Sequence, residues 1–289
     1  MTISEIFEKC LRAGIKGDSR DISEDINLED LKKKYGDSAI HYDNKKEIKK
    51  VFVGIDTECQ EILLADRIGV DGIIGHHPEG SALVNLWKVM EIHQEAVINC
   101  GVPVSAAERM VEERQEEIKK SFHGSNYNRA CDSAKLLNIP FINVHTPADN
   151  LANLFMDNFI KNSNIKTLKE LCDKVLLIPE YAEASKYGVI PKIVSGSDKH
   201  RIGNYFVKFN GGTSGNKKLF KYLENLGIST FICMHLPENQ IEEAKKCNIN
   251  VVIMPHMASD SLGVNLMLDT IENIEIISGA GFTRVSRRQ

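Results

Sequence analysis

The chain opens with a helical stripe, in which Ile3, Ile6, Phe7, Cys10 and Leu11 recur at the spacing of one helix face. The rest of the first fifty residues is dense in charge, 11 basic against 11 acidic, and reads as a solvated, partly irregular face. From Val51 the texture changes to short apolar runs alternating with helix-period segments. Residues 51–55 and 70–75 read as strands. Between them Thr57 and Gln60 form a capping-box pair opening a helix to residue 68, so the stretch predicts a βαβ unit. The alternation continues with a helix over 83–98, a strand over 102–105 and a charged helix over 108–120, whose acidic start and basic end suit the helix dipole. Gly124 breaks that helix. Another reaches Leu137, the strand 139–144 follows, and Leu151, Leu154, Phe155 and Phe159 mark the helix after it.

The segment 179–191, punctuated by Gly188 and partly helical, reads as a connector. Beyond it the pattern predicts strands at 193–194 and 205–209, a glycine loop at 211–215, and a helix over 217–226. A strand at 228–234, a helix over 238–247, a strand at 250–254, a helix and a last strand at 274–277 complete the chain. The expected architecture is α/β, with two lobes built on mixed sheets: 1–178 with a charged N-terminal extension, and 179–289. Antiparallel strands near 193–209 are expected to flank a parallel set. The two lobes echo each other, since 68–77 and 247–256 are both buried-strand runs that end in histidine. In α/β sheets the carboxyl ends of strands are where ligands sit.

Composition narrows the function classes. A chain of 289 residues buries a core without disulfides or a structural metal, so a metal here would serve chemistry. A net charge of -4 gives no global attraction to nucleic acid. The N-terminus lacks a basic segment followed by an apolar one, and no apolar run approaches a membrane span. Seven cysteines, at 10, 59, 100, 131, 172, 233 and 247, are scattered without a Cys-x-x-Cys and read as reduced residues of a cytoplasmic protein.

The candidate chemistry lies at the strand ends. His76, His77 and His256 stand just past apolar strands, and His145 closes the strand 139–144. Taken singly, a strand-end histidine is more often a satisfied polar residue than a ligand. Taken together these carry more weight, because each is followed by an acid or a second ligand. Neighbouring side chains of a regular strand point to opposite faces, so His76 and His77 can serve one centre only where the backbone turns. His145 and Asp149, and again His256 and Asp260, are four residues apart, which puts each pair on one face if the segment is helical. Five nitrogen or oxygen ligands, His76, His77, Asp149, His256 and Asp260, are one too many for a closed tetrahedral zinc site. Shared between two ions they leave open positions, as a catalytic pair requires. Without cysteine in the set, Fe, Zn, Mn, Co and Ni are all admissible.

Other residues are weighed the same way. Asp56 follows a strand and is a candidate acid or base near the cleft, although Asp before a capping threonine is also a common turn residue. His235 ends the strand at 228–234 and is a candidate to bind substrate or orient a ligand, against a solvated strand end. The glycine loop 211–215 precedes a helix but lacks the Lys-Ser/Thr end of a phosphate-binding loop, so a plain tight turn is the better reading. His41, His93, His123 and His200 show no supporting spacing.

The run Asp71-Gly72-Ile73-Ile74-Gly75-His76-His77-Pro78, the motif His145-Thr146-Pro147-Ala148-Asp149, the turn Gly211-Gly212-Thr213-Ser214-Gly215 and the terminal segment from His256 to Asp260 occur in one order. In that order they resemble the YbgI-like dinuclear metal proteins, the NGG-interacting-factor-like family also described as GTP cyclohydrolase I type 2 homologues. The resemblance runs from Val51 to the C-terminus. It implies a two-metal centre in a cleft and a ring-shaped homohexamer. It carries the metal ligands onto His76, His77, Asp149, His256 and Asp260, with His145 a sixth ligand or a group just outside. The chain departs from the family pattern at Asp260, where glutamate is usual, and at Met257, where another histidine is frequent. It also departs in an extra charged helix between residues 80 and 140 and in the first fifty residues. The expected function is a metal-dependent hydrolase of a nucleotide-like or heterocyclic small molecule. The alternative is a metal carrier, for iron or another divalent ion, that serves a metal-accepting partner in cofactor biosynthesis. A regulatory scaffold in which the ions only stabilise the oligomer is a third reading.

Overall fold

The computed structural model describes residues 1–288 and shows an α/β protein with two mixed sheets. The first sheet has the order β1-β4-β3-β2-β9, formed by Ala39–Tyr42, Phe141–Asn143, Gly72–Gly75, Lys50–Gly54 and Glu275–Ser278. Its strands are parallel except β1, which pairs antiparallel with β4 at one edge. The second sheet has the order β5-β8-β7-β6, formed by Lys192–Ser195, Asn250–Ile253, Ile228–Cys233 and Asn204–Lys208. Here too one edge strand, β5, is antiparallel.

The period-2 geometry of a strand explains why the central runs are continuously apolar. In the first sheet Val51, Val53, Ile74 and Ile142 face Ile3, Phe7 and Leu11 of the N-terminal helix, together with Leu268. The intervening Phe52, Ile73 and Phe141 face Ile62 and Ala65 of the helix Cys59–Ile68 and Ala130 and Ala134 of the helix Arg129–Leu136. Both faces are covered, so alternation disappears. The second sheet does the same. Ile232 and Val252 pack against Met156 and Ile160 of the helix Thr146–Asn162, while Phe231, Cys233 and Val251 pack against Leu219, Phe220, Val97 and Met110.

Several expectations are corrected. The helix Ile3–Gly14 forms on the expected stripe, but the rest of the first fifty residues is more than a solvated face, because Leu31 and Tyr35 join the core and β1 adds a strand. The helix after β2 is capped by Glu58 with Glu61, and Thr57 is buried instead. The expected strand at 102–105 is the start of the long helix Val104–Phe122, for which Pro103 stands at the N-cap. β6 is parallel to β7, leaving only β5 antiparallel. The last strand pairs with β2, so it completes the first sheet and not the second. The sheets thus exchange segments across 178/179, with residues 97–110 lying on the second sheet and β9 in the first.

Candidate metal centre

The centre is assembled where strands end and helices begin. After β3 the backbone stays attached to β2, with His76 N donating to Gly54 O at 3.0 Å and His77 N to Ile55 O at 2.9 Å. Asn143 holds the turn that follows, its Nδ2 donating to His77 O at 2.6 Å and its Oδ1 accepting from Glu79 N at 3.0 Å. This close approach requires Gly75, where a Cβ would stand 2.2 Å from Thr57 Oγ1 and 2.4 Å from Asn143 Nδ2. The two imidazoles end with ring centroids 5.2 Å apart. His145 is the N-cap of the helix Thr146–Asn162 and His256 is the first residue of the helix His256–Leu268. Both four-residue spacings therefore act as helix-face spacings, and each histidine Nε2 stands 3.6 Å from Oδ2 of its partner, Asp149 or Asp260.

Three overlapping sets of side chains offer ligand atoms within 4.8 Å of one another: His76, His77 and His145; His77, His256 and Asp260; and His76, Asp149 and Asp260. Asp260 joins them. Its Oδ1 lies 3.7 Å from His76 Nε2, and its Oδ2 lies 3.4 Å from His77 Nε2 and 3.6 Å from His256 Nε2. Asp149 Oδ1 is 3.3 Å from His76 Nε2. These separations are long for hydrogen bonds, and His76 Nε2, Asp149 Oδ1 and both Asp260 oxygens are buried without a partner. Two atoms bound to one ion at about 2.1 Å and a near-tetrahedral angle stand about 3.4 Å apart. The residues present therefore fit a divalent metal, and the buried His and Asp groups can bind one.

The opposite ring nitrogens are engaged. His76 Nδ1 donates to Val144 O at 3.1 Å, His77 Nδ1 to Asp56 Oδ1 at 2.7 Å and His145 Nδ1 to Asp37 Oδ2 at 2.8 Å. Each bond turns Nε2 toward the cluster, where a proton or a metal ion can take its lone pair. Burial disfavours charge on His76 and His77, but the facing carboxylates overcome it. His76 is raised well above its ordinary value and His77 to about 9. Asp260 moves the other way, held far below the usual carboxylate range by His76 and His77 against the effect of burial. In the metal-free chain the shifts of His76 and His77 favour protons where an ion would bind.

The cluster opens onto a cavity of about 240 Å³ whose wall includes Leu83, Leu86, Phe209, Met234 and Leu236. His235 lines this cavity, its ring centroid 5.1 Å from that of His256, but it belongs to none of the three ligand sets. Desolvation, aided by the charge of Lys208, lowers it to about 4. Asp56 is a mostly exposed group at the back of His77, away from the cavity wall. Asp37, which is fully buried and also accepts from Thr146 Oγ1 at 2.6 Å, escaped the sequence reading, as no local pattern marks it. Lys208 escaped as well, although a lysine between Val207 and Phe209 at the end of β6 was a visible signal.

No protein-family model matches the sequence, and no curated protein matches it. Solved structures do. A NIF3 superfamily protein from Sphaerobacter thermophilus superposes with a TM-score of 0.82 at 24% identity, over 97% of this chain and 98% of that one. The chain has the NIF3 fold. The protein TTHA1606 from Thermus thermophilus matches with a TM-score of 0.55 at 13% identity, over 96% of this chain and 97% of that one. The protein ybgI matches with a TM-score of 0.51 at 13% identity, over 97% and 98%. The motif resemblance to YbgI-like NIF3 proteins is thus borne out in the fold. The NIF3 overlap also takes in most of the first fifty residues, which the motifs did not reach.

Proposed function

We propose that the chain is a metal-dependent hydrolase that holds two divalent ions and acts on a compact nucleotide-like or heterocyclic molecule. One observation carries this reading: His77, His145, Asp149 and His256 line an apolar-walled cavity, and next to them His76 Nε2 and both Asp260 oxygens are buried without a partner. A carrier needs ligands but no such wall. In this reading His76, His77, His145, Asp149, His256 and Asp260 would hold the ions between them, with Asp260 near both His76 and His77. Divalent ions in that position supply Lewis acidity and lower the pKa of water. Asp56 and Asp37 keep the rings of His77 and His145 in register by accepting from Nδ1. His235, at the cavity wall beside His256, contacts the substrate through a ring nitrogen. The aspartate at 260 in place of glutamate still reaches both sets.

Assembly and location belong to the same proposal. A homohexamer in the cytoplasm is supported by the motif resemblance and by exposed Leu177, Tyr187, Val189 and Ile190, which are apolar and close in sequence. Among the described residues no helix is long and apolar enough to cross a membrane. The test is metal analysis of reconstituted protein together with turnover of a nucleotide and phosphoester panel. About two ions per chain and turnover of one panel member are expected, since the ligand set exceeds what one ion needs. One ion or none would sink the pair. Rapid loss of one ion to a chelator without turnover would favour the metal carrier.

A further inference from the structure

Lys208 ends β6 and lines the same cavity as His77, His145, Asp149 and His256. It is 8% exposed, and among the described residues no carboxylate stands within 4.0 Å of its Nζ. A buried charge without a counter-charge is costly unless a partner arrives. Nζ donates to Asn210 O at 2.8 Å and Thr213 O at 2.7 Å, which leaves one of its three donors without a protein acceptor. The turn that supplies those carbonyls is built to do so. Gly211 and Gly212 both adopt positive φ, +88° and +76°, and a Cβ at Gly212 would meet Leu86 at 2.9 Å and Val89 at 3.0 Å.

The turn is also tied to the metal-bearing helix. Asn210 Nδ2 donates to Asn150 Oδ1 at 2.8 Å, and Phe209 N donates to Asn153 Oδ1 at 2.9 Å. Asn150 follows Asp149, so the lysine and the cluster are fixed relative to one another. If the lysine only stapled its turn, two carbonyls would be its whole purpose, and a neutral donor would do this without a buried charge. Burial pushes Lys208 down to about 8 in the metal-free chain.

We propose that Lys208 and its turn form an anion subsite beside the metal centre, taking a phosphate or carboxylate group of the substrate. The inference rests on the metal-centre reading in one respect: divalent ions held beside the lining residues His77, His145, Asp149 and His256, together with an ammonium on the wall, would make the cavity cationic, and an anionic ligand would balance it. The apolar wall between Leu83 and Leu236 would then hold the body of that ligand.

Calorimetry on the metal-loaded full chain, with inorganic phosphate and acetate as probes and metal content read on the same samples, tests this. At equal metal content Lys208→Met should weaken the better probe about tenfold or more, the loss expected for a charge-assisted hydrogen bond, and Lys208→Arg should restore part of it. The better probe assigns the group. Equal affinity in the unaltered protein and Lys208→Met, or binding of neither probe, overturns the subsite. Absence of metal from the unaltered protein overturns the metal centre instead, and the comparison between the two proteins still reads the subsite. Should Lys208→Met fail to fold, a crystal of the unaltered chain soaked in phosphate decides. Phosphate at hydrogen-bond distance from Lys208 Nζ supports the subsite, and phosphate only elsewhere overturns it.

Discussion

Two buried carboxylates meet the same helix and have opposite surroundings. Glu180 is 1% exposed and fully paired, with Arg287 Nη1 and Nη2 each 2.6 Å from one of its oxygens and Asn265 Nδ2 donating at 2.8 Å. Asp260, on the helix His256–Leu268 that also carries Asn265, is 0% exposed and has no hydrogen-bond partner on either oxygen. Around it stand three histidine nitrogens at 3.4 to 3.7 Å. Burial of charge is common to both. What separates them is the missing partner, and a buried acid faced by imidazole nitrogens is a place that fits a cation the chain does not supply.

The contrast breaks most easily at those two acids. Asp260→Asn should cost at least one ion and abolish turnover while the circular dichroism spectrum is kept, because the core does not depend on the ions. Glu180→Gln should keep the metal and lose about 3 kcal/mol of stability in denaturant titration, the lower end for breaking a buried pair, since Arg287 is partly solvated. An Asp260→Asn chain that is unfolded, or a Glu180→Gln chain that loses metal, would erase the distinction.

A smaller effect is expected one bond further out. Asp37→Ala removes the acceptor of His145 Nδ1, and such losses weaken metal binding about 10- to 100-fold. Competition with a fluorescent chelator reads this directly. Unchanged affinity would show that His145 needs no orientation and stands outside the ligand set.

The smallest effect sharpens the comparison through pH. His77 moves from an ordinary 6.5 to about 9 in the folded, metal-free chain, so the folded state keeps a proton that the unfolded state releases. The stability this gives is present in full below about 6.5 and is lost as pH rises through about 9. Chelated protein should therefore melt progressively lower across that window. The metal-loaded form, whose histidines are already deprotonated, should change little. Parallel profiles for the two forms would mean that protons and ions do not share the site.

Much of this centre was legible in the chain. The apolar runs that end at His76 and His256 do lie beside the site, and the four-residue spacings of His145 with Asp149 and His256 with Asp260 do become helix faces. Such features are local, since the rise and twist of a helix or strand convert spacing into direction within a few residues. The α/β class followed from the same local periodicity. Asp56 and His235 were also visible as polar residues after strands, yet one stands behind His77 and the other at the cavity wall, and spacing could not tell them apart.

Tertiary structure alone decided the rest. Asp37 reaches His145 across 108 positions, and Glu180 reaches Arg287 across 107, so neither pairing leaves a mark on its neighbours in the chain. The return of β9 to the first sheet pairs residues 275–278 with residues 50–53, far apart in the chain. Whether a buried acid is satisfied, as Glu180 is, or left open, as Asp260 is, depends on what packing brings within about 3 Å. Local sequence determines which way a side chain points. Only the packed fold determines what it meets there.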